Sequence, residues 1–267
     1  MTRATQARFL PVDLAGARVV VTAGGAGIGR TIAAAFQARG AAVLVCDVSR
    51  EALDEVRQAL PGVGAVEADI ADPAAVAALF AAAQRGLGGL DVLVNNAGIA
   101  GPTARVEDVT PDDLQRTLAV NVEGQFHCAR HAVPLLKAAG GGTILNLSSI
   151  AGRLGFPMRA PYAASKWAVI GFTKSLAIEL GETGIRVNAL LPGHVDSERF
   201  RRVVRAKAEA TGRSVDDVRA QFLAPVSLKR NVSADDIANM ALYLASPFGA
   251  SITGQAISVC GDVQMMA

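Results

Sequence analysis

A chain of 267 residues, 51% of them hydrophobic, has the material for one large buried core and no need to divide into smaller ones. Lys plus Arg number 26 against 24 Asp plus Glu, and a formal charge of +2 is too near balance for nucleic acid or an anionic membrane to be the main partner, which leaves small molecules. Cys46, Cys128 and Cys260 are scattered and lack metal-ligand spacing, no apolar run reaches the roughly 18 residues of a membrane span, and the opening M-T-R-A-T-Q-A-R-F-L-P has no signal-like apolar run, so a soluble cytoplasmic protein with reduced thiols and no metal is expected.

The first element is a β-branched run, Val19 to Ala23, breaking into Gly24, Gly25, Ala26, Gly27, Ile28 and Gly29 before a helix-like stretch from Arg30 to Arg39. A strand, glycine loop and helix in this order bring backbone amides and a positive helix end to a pyrophosphate, although an ordinary tight turn has the same look. Val43 to Cys46 is the second strand, and Asp47 follows it eighteen residues after Gly29. An acid at that distance receives the adenosine ribose hydroxyls of a dinucleotide and repels a 2′-phosphate, which argues for NAD over NADP; capping a helix that starts near Arg50 is compatible with the same role. The third strand, Val63 to Ala68, ends at Asp69 and Ile70 and runs towards a helix at Asp72 and Pro73, and the fourth, Leu90 to Val94, opens into Asn95, Asn96, Ala97 and Gly98.

Thr110 and Pro111 are a good cap and first turn for a long helix. Asn121 interrupts its apolar run L-A-V-N-V-E-G, a poor residue for a helix interior unless the backbone satisfies it or function requires it. Thr143 to Ser149 reads as a buried strand, followed by a loop, Ala151 to Ala160, that carries Arg153 and Arg159. Either arginine fits an anionic substrate group, and either fits solvent or a neighbouring subunit. In the next segment, P-Y-A-A-S-K-W-A-V-I-G-F from Pro161, Tyr162 and Lys166 share one helix face a turn apart. A phenol ionises near pH ~10, and a nearby ammonium favours the phenolate, giving a general acid/base; a surface tyrosine above a solvated lysine has the same spacing. Ser149, thirteen residues earlier at a strand end, brings a hydroxyl towards that helix start.

Gly184 to Leu191 is a sixth strand, ending in Pro192, Gly193, His194, Val195, Asp196 and Ser197. From Glu198 to Arg213 the six basic residues Arg199, Arg201, Arg202, Arg205, Lys207 and Arg213 face only Glu198 and Glu209. That excess fits a substrate lid at about 194–226 that draws in an anion, and equally an amphipathic helix with Phe200, Val203 and Val204 inward and its arginines in water. Ala234 to Ala245 is a helix and Ile252 to Val259 the final strand. Strands and helices alternate throughout, without repeats or linkers, as in one doubly wound parallel sheet spanning residues 1–267.

With these motifs in this order, the sequence from about Val19 to about Gly261 resembles the short-chain dehydrogenase/reductase family. The resemblance implies an α/β Rossmann-type fold of about seven strands. Its glycine loop is the family's T-G-x-x-x-G-x-G, read from Thr22 through Gly24, Gly25, Gly27 and Ile28 to Gly29, but with Ala23 at the first glycine, where a positive φ would penalise the Cβ. Ala26 and Val48 stand where NADP-using relatives commonly carry a basic residue. By the same resemblance Asp69 and Ile70 contact the adenine, Asn95, Ala97 and Gly98 of N-N-A-G lie at the sheet beside the cofactor, Pro192, Gly193 and Val195 border the nicotinamide, and Ser197 replaces a threonine that binds its carboxamide. Asn121, Ser149, Tyr162 and Lys166 form the catalytic set: Asn121 holds a relay water, Ser149 binds the substrate oxygen, Tyr162 transfers the proton, and Lys166 holds both the phenolate and the nicotinamide ribose. His194, Arg153, Arg159, Arg199 and Arg202 border the substrate, a polar or acidic hydroxy compound. Cys260, Gly261 and Asp262 stand where relatives have D-G-G. The implied protein is a homotetrameric NAD-dependent alcohol dehydrogenase/ketone reductase. A 3-oxoacyl-thioester reductase using NADPH and a non-catalytic NAD sensor are the alternatives, the first disfavoured by Asp47 and the second by the complete catalytic set.

Overall fold

Seven strands form one parallel sheet in the order β3-β2-β1-β4-β5-β6-β7 in the computed structural model, which describes residues 12–265. They are β1 (Arg18–Thr22), β2 (Ala42–Asp47), β3 (Gly64–Glu67), β4 (Val92–Asn95), β5 (Gly142–Leu147), β6 (Ile185–Pro192) and β7 (Ala256–Val259). Between them run α1 (Gly27–Gln37), α2 (Arg50–Ala59), α3 (Pro73–Leu87), α4 (Pro111–Leu118), α5 (Gly124–Ala138), α6 (Ala160–Leu180), α7 (Glu198–Thr211), α8 (Val215–Leu223) and α9 (Ala234–Ala245). The expectation for the N-terminal stretch falls outside the described residues.

Alternation along β1 explains the layers. Val19 and Val21 point to one face and pack with Ile32 and Phe36 of α1, Leu53 of α2 and Ile237 of α9, while Val20 points to the other, against Leu79 of α3, Leu136 of α5 and Leu180 of α6. All are essentially sealed from water, and each such side chain contributes roughly 1.5–3 kcal/mol. The strand order reverses between β1 and β4, so a crevice opens there at the carboxyl ends of the strands, where doubly wound sheets bind ligands.

Strand ends shift by one or two residues from expectation, and three differences have a visible cause. β1 stops at Thr22, because Ala23 takes φ +48 and turns the chain. The long helix is split by a π turn, Ala119–Glu123, between α4 and α5. The last strand begins at Ala256 instead of Ile252, since Gly254 has φ +67 and the Thr253 hydroxyl accepts the Val187 N–H at 3.1 Å. No described helix is long and apolar enough to cross a membrane.

Candidate active site

The glycine loop is built around one asparagine. Asn96 Nδ2 donates to the carbonyls of Thr22 at 3.0 Å and Ala23 at 3.1 Å, and a Cβ on Gly29 would collide with both that amide and the Ala23 carbonyl. Gly29 therefore has to be glycine for the loop to close on the end of β4. The Thr22 hydroxyl accepts the N–H groups of Asn96 and Ala97, each at 3.0 Å, and is fully buried. This corrects its expected place: Thr22 clamps β1 to the turn after β4 from beneath and does not face a nucleotide. Helix α1 starts with no side-chain cap at Ala26, so its first N–H groups stand open beside Gly24, Gly25 and Gly27. Across the crevice Asp47 accepts the Gly25 N–H on Oδ2 and the Ser49 N–H on Oδ1, both at 3.1 Å, which fixes its carboxylate at the mouth of the loop. Asp69 is exposed, but Ile70 packs into the core against Gly124, so of this pair only the acid presents its side chain outward. Asn95 is likewise inward: its amide donates to Asn146 at 2.9 Å, and Asn146 to Thr173 at 3.0 Å, a buried polar ladder from β4 through β5 to α6.

Three of the four residues expected to be catalytic, Ser149, Tyr162 and Lys166, line one cavity together with Ile28, Pro192, Gly193, Val195 and Ser197. Ser149 ends the turn after β5, and its hydroxyl accepts the Ala151 N–H at 3.1 Å. Lys166, 3% exposed, donates from Nζ to the Leu147 carbonyl at 2.8 Å and stands 5.8 Å from the centre of the Tyr162 ring. The Ser148 hydroxyl holds the Lys166 carbonyl at 2.7 Å, tying α6 to the end of β5. Asn121 projects from the π turn: Oδ1 accepts the Ile99 N–H at 2.7 Å, and Nδ2 donates to the Ile99 carbonyl and to Ser165 Oγ, both at 3.0 Å. A Cβ placed on Gly98 would sit 3.0 Å from Asn121 Oδ1 and 3.3 Å from Lys166 Nζ, so Gly98, Asn121 and Lys166 meet.

Ser197 lines the cavity and also caps α7, accepting the Phe200 N–H at 3.2 Å. Gly193 lies against Cys260, whose Cα would be 2.7 Å from a Cβ at that position. His194 is 6% exposed, stacks on Phe200 with centroids 5.4 Å apart and meets Phe222 edge-on at 5.1 Å. Its ring nitrogens have no hydrogen-bond partner among the described residues, and burial pushes its pKa down to about 4. A neutral imidazole sealed between phenyl rings lines the pocket and is not a base. Arg159 also borders the cavity, with its guanidinium 5.4 Å from the Tyr162 ring centre. Arg153 does not: it donates to Ser258 Oγ at 3.3 Å and to the Ala256 carbonyl, pinned to the edge strand β7, which removes it from the substrate set. The Arg202 side chain is exposed on α7, and that of Arg199 lies outside the described residues. Sequence reasoning missed Asn96 as the loop's anchor, although it stands inside N-N-A-G, and it missed Phe156 and Phe222 as cavity wall, which no local pattern marks. Among the described residues no cluster of three His, Cys, Asp or Glu has metal-binding geometry.

A doubly wound sheet with a glycine loop at its switch point and a serine, tyrosine and lysine gathered beside it defines a dinucleotide-fold protein of the dehydrogenase type. A family model described as enoyl-(acyl carrier protein) reductase matches residues 22–262, and the chain belongs to the short-chain dehydrogenase/reductase family. It is 40% identical over 183 residues, 68% of its length and 74% of the relative's, to an NAD(+) 2-dehydro-3-deoxy-L-rhamnonate dehydrogenase of a Sphingomonas species. Among solved structures it is similar to NAD+-bound xylitol dehydrogenase, at TM-score 0.87 and 31% identity over 92% of this chain and 98% of that one. The actinorhodin polyketide ketoreductase with NADPH also superposes at TM-score 0.87, with 33% identity over 92% and 96% of the two chains.

Proposed function

We propose that this protein is an NAD-dependent oxidoreductase that interconverts a secondary alcohol and a ketone. The observation that carries the reading is the convergence of Ser149, Tyr162 and Lys166 on one cavity at the end of the glycine loop. The residues fit a dinucleotide: the Gly24, Gly25 and Gly27 backbone leads into α1, whose start has no side-chain cap, and the Asp47 carboxylate, bonded to the Gly25 N–H, suits a ribose diol. That carboxylate supports NAD over its 2′-phosphorylated form, as do the names of the rhamnonate and xylitol dehydrogenases; the ketoreductase with NADPH marks the alternative.

When bound, the nicotinamide accepts or returns the hydride. In the oxidative direction Tyr162 takes the substrate's hydroxyl proton while the carbinol carbon gives up its hydride, leaving the ketone. Ser149 donates a hydrogen bond to the oxygen on which charge changes. Lys166 stabilises the phenolate charge of Tyr162. Asn121, joined to Ile99 and Ser165, is placed to anchor the water that returns the proton to solvent.

The test is nicotinamide absorbance with NAD and with NADP across neutral polyols, hydroxy acids, steroids and acyl thioesters. Turnover of a secondary alcohol with NAD preferred supports the reading. Turnover of a 3-oxoacyl thioester with NADPH alone would replace it with the ketoreductase alternative, and NAD binding without turnover of any class would favour a sensor.

A further inference from the structure

Arg159 and Val203 line two cavities at once. The first holds Ser149 and Tyr162; the second lies between the 98–103 loop and α7 and is bordered by Thr103, Arg202 and Ala206. Among the described residues neither has a carboxylate in its wall, so the charge there is one-sided. Arg159 is 3% exposed, and its guanidinium donates to the Ala100 carbonyl at 2.6 Å and the Thr103 hydroxyl at 3.4 Å, which aims it at the wall shared by the two cavities. Arg202 stands exposed at the rim. One helical turn beyond Val203, Lys207 is 8% exposed with Nζ 5.1 Å from the Phe222 ring centre, and it makes no ion pair among the described residues. Its pKa is lowered by burial first and then by the charges of Arg213 and Arg159, so the cations repel one another across this region. The acid on the same helix, Glu198, is engaged on the outer surface by Arg201 at 3.1 Å and Arg205 at 2.5 Å.

A cation held away from water beside other cations, as Lys207 is, favours an anion nearby. We propose that the second cavity is the anion subsite of the substrate pocket and that the substrate is a hydroxy acid, its carboxylate received by Arg159 and Arg202 and its carbinol by Ser149 and Tyr162. The guanidinium fork matches a carboxylate. With the Arg159 guanidinium 5.4 Å from the Tyr162 ring centre, the two groups stand a few bonds apart on one small molecule. This deepens the alcohol-ketone reading and rests on it.

The experiment is calorimetric binding of 3-hydroxy and 4-hydroxy carboxylates and their primary amides to the protein saturated with NAD, with turnover of each pair measured alongside. The acids are expected to bind about 10- to 100-fold more tightly than the amides, the worth of a charge-assisted hydrogen bond or two. Arg159→Gln should remove most of that preference, Arg159→Lys should restore part of it, and Arg202→Gln, at an exposed position that does not threaten folding, should reduce it by weakening the acids more than the amides. Equal binding of acid and amide, no binding of either, or equal weakening of both by Arg202→Gln overturns the subsite. If the acids are preferred but none reduces the nicotinamide, the anion subsite stands and the alcohol dehydrogenase reading fails; if amides turn over as well as acids, the reverse holds.

Discussion

Ala23 holds a left-handed backbone, φ +48, at the point where β1 turns into the glycine loop, with its carbonyl fixed by Asn96 Nδ2 at 3.1 Å. An L side chain costs roughly 1–2 kcal/mol in that region, partly offset by the larger unfolded-state freedom of the glycine that would replace it. Ala23→Gly should therefore raise unfolding free energy by about 0.5–1 kcal/mol in a urea titration, with an unchanged slope. His194 yields a second expectation at this scale. Its pKa is about 4 when folded against 6.5 otherwise, so below 6.5 the unfolded chain binds the extra proton. Stability from this group is complete above that pH and is lost as pH falls towards the folded value, a decline of about 3 kcal/mol. Comparing His194→Phe with wild type by thermal unfolding from pH 7 to pH ~4 should show a flatter profile in the variant; parallel profiles would contradict the burial of a neutral imidazole. That Ser149, Tyr162 and Lys166 meet, and that Asp47 stands against the glycine loop, was legible because short motifs and fixed spacings mark these residues. Thr22 and Ile70 were misplaced because a motif names a residue without saying which way its side chain turns, and both turn into the core.

Between α4 and α5 the chain widens for five residues into the π turn that carries Asn121. Such bulges inside helices often accompany functional sites, and this one presents a single amide to both the N–H and the C=O of Ile99. The helix itself could be read from its cap at Thr110 and Pro111, but the break could not, because the apolar period hardly changes when one turn shifts its hydrogen bonds. Asn121→Ala leaves the Ile99 N–H, the Ile99 carbonyl and Ser165 to find other partners, and it should cost at least about 2 kcal/mol of stability and lower kcat. A variant with native stability and native kcat would show that the amide neither holds the 98–99 turn nor serves the site. The final strand illustrates the same limit: Ile252 looks like sheet, yet the left-handed Gly254 and the hydrogen bond of Thr253 to Val187 delay the pairing to Ala256.

At the scale of the molecule, the alternation of strands and helices was enough to predict the doubly wound sheet, whose order then places the ends of β1, β4, β5 and β6 around one crevice. What the sequence did not disclose is how segments far apart meet. Arg159 precedes α6, Arg202 lies on α7 and Thr103 follows β4, and only packing joins them around the second cavity. Likewise Phe156, Phe200 and Phe222, from three segments, wall the first cavity, and Phe200 and Phe222 pack on His194. Tyr162 lines the first cavity with Ser149 and Lys166, and the proposed reaction depends on its phenol carrying the proton. The most direct measurement is single-turnover hydride transfer from NADH to a ketone substrate by wild type and by Tyr162→Phe, with NADH binding checked in both. A rate about 10²- to 10⁴-fold lower in the variant, with cofactor binding intact, is the predicted result; an equal rate in the two proteins would contradict the assignment of Tyr162 as the general acid.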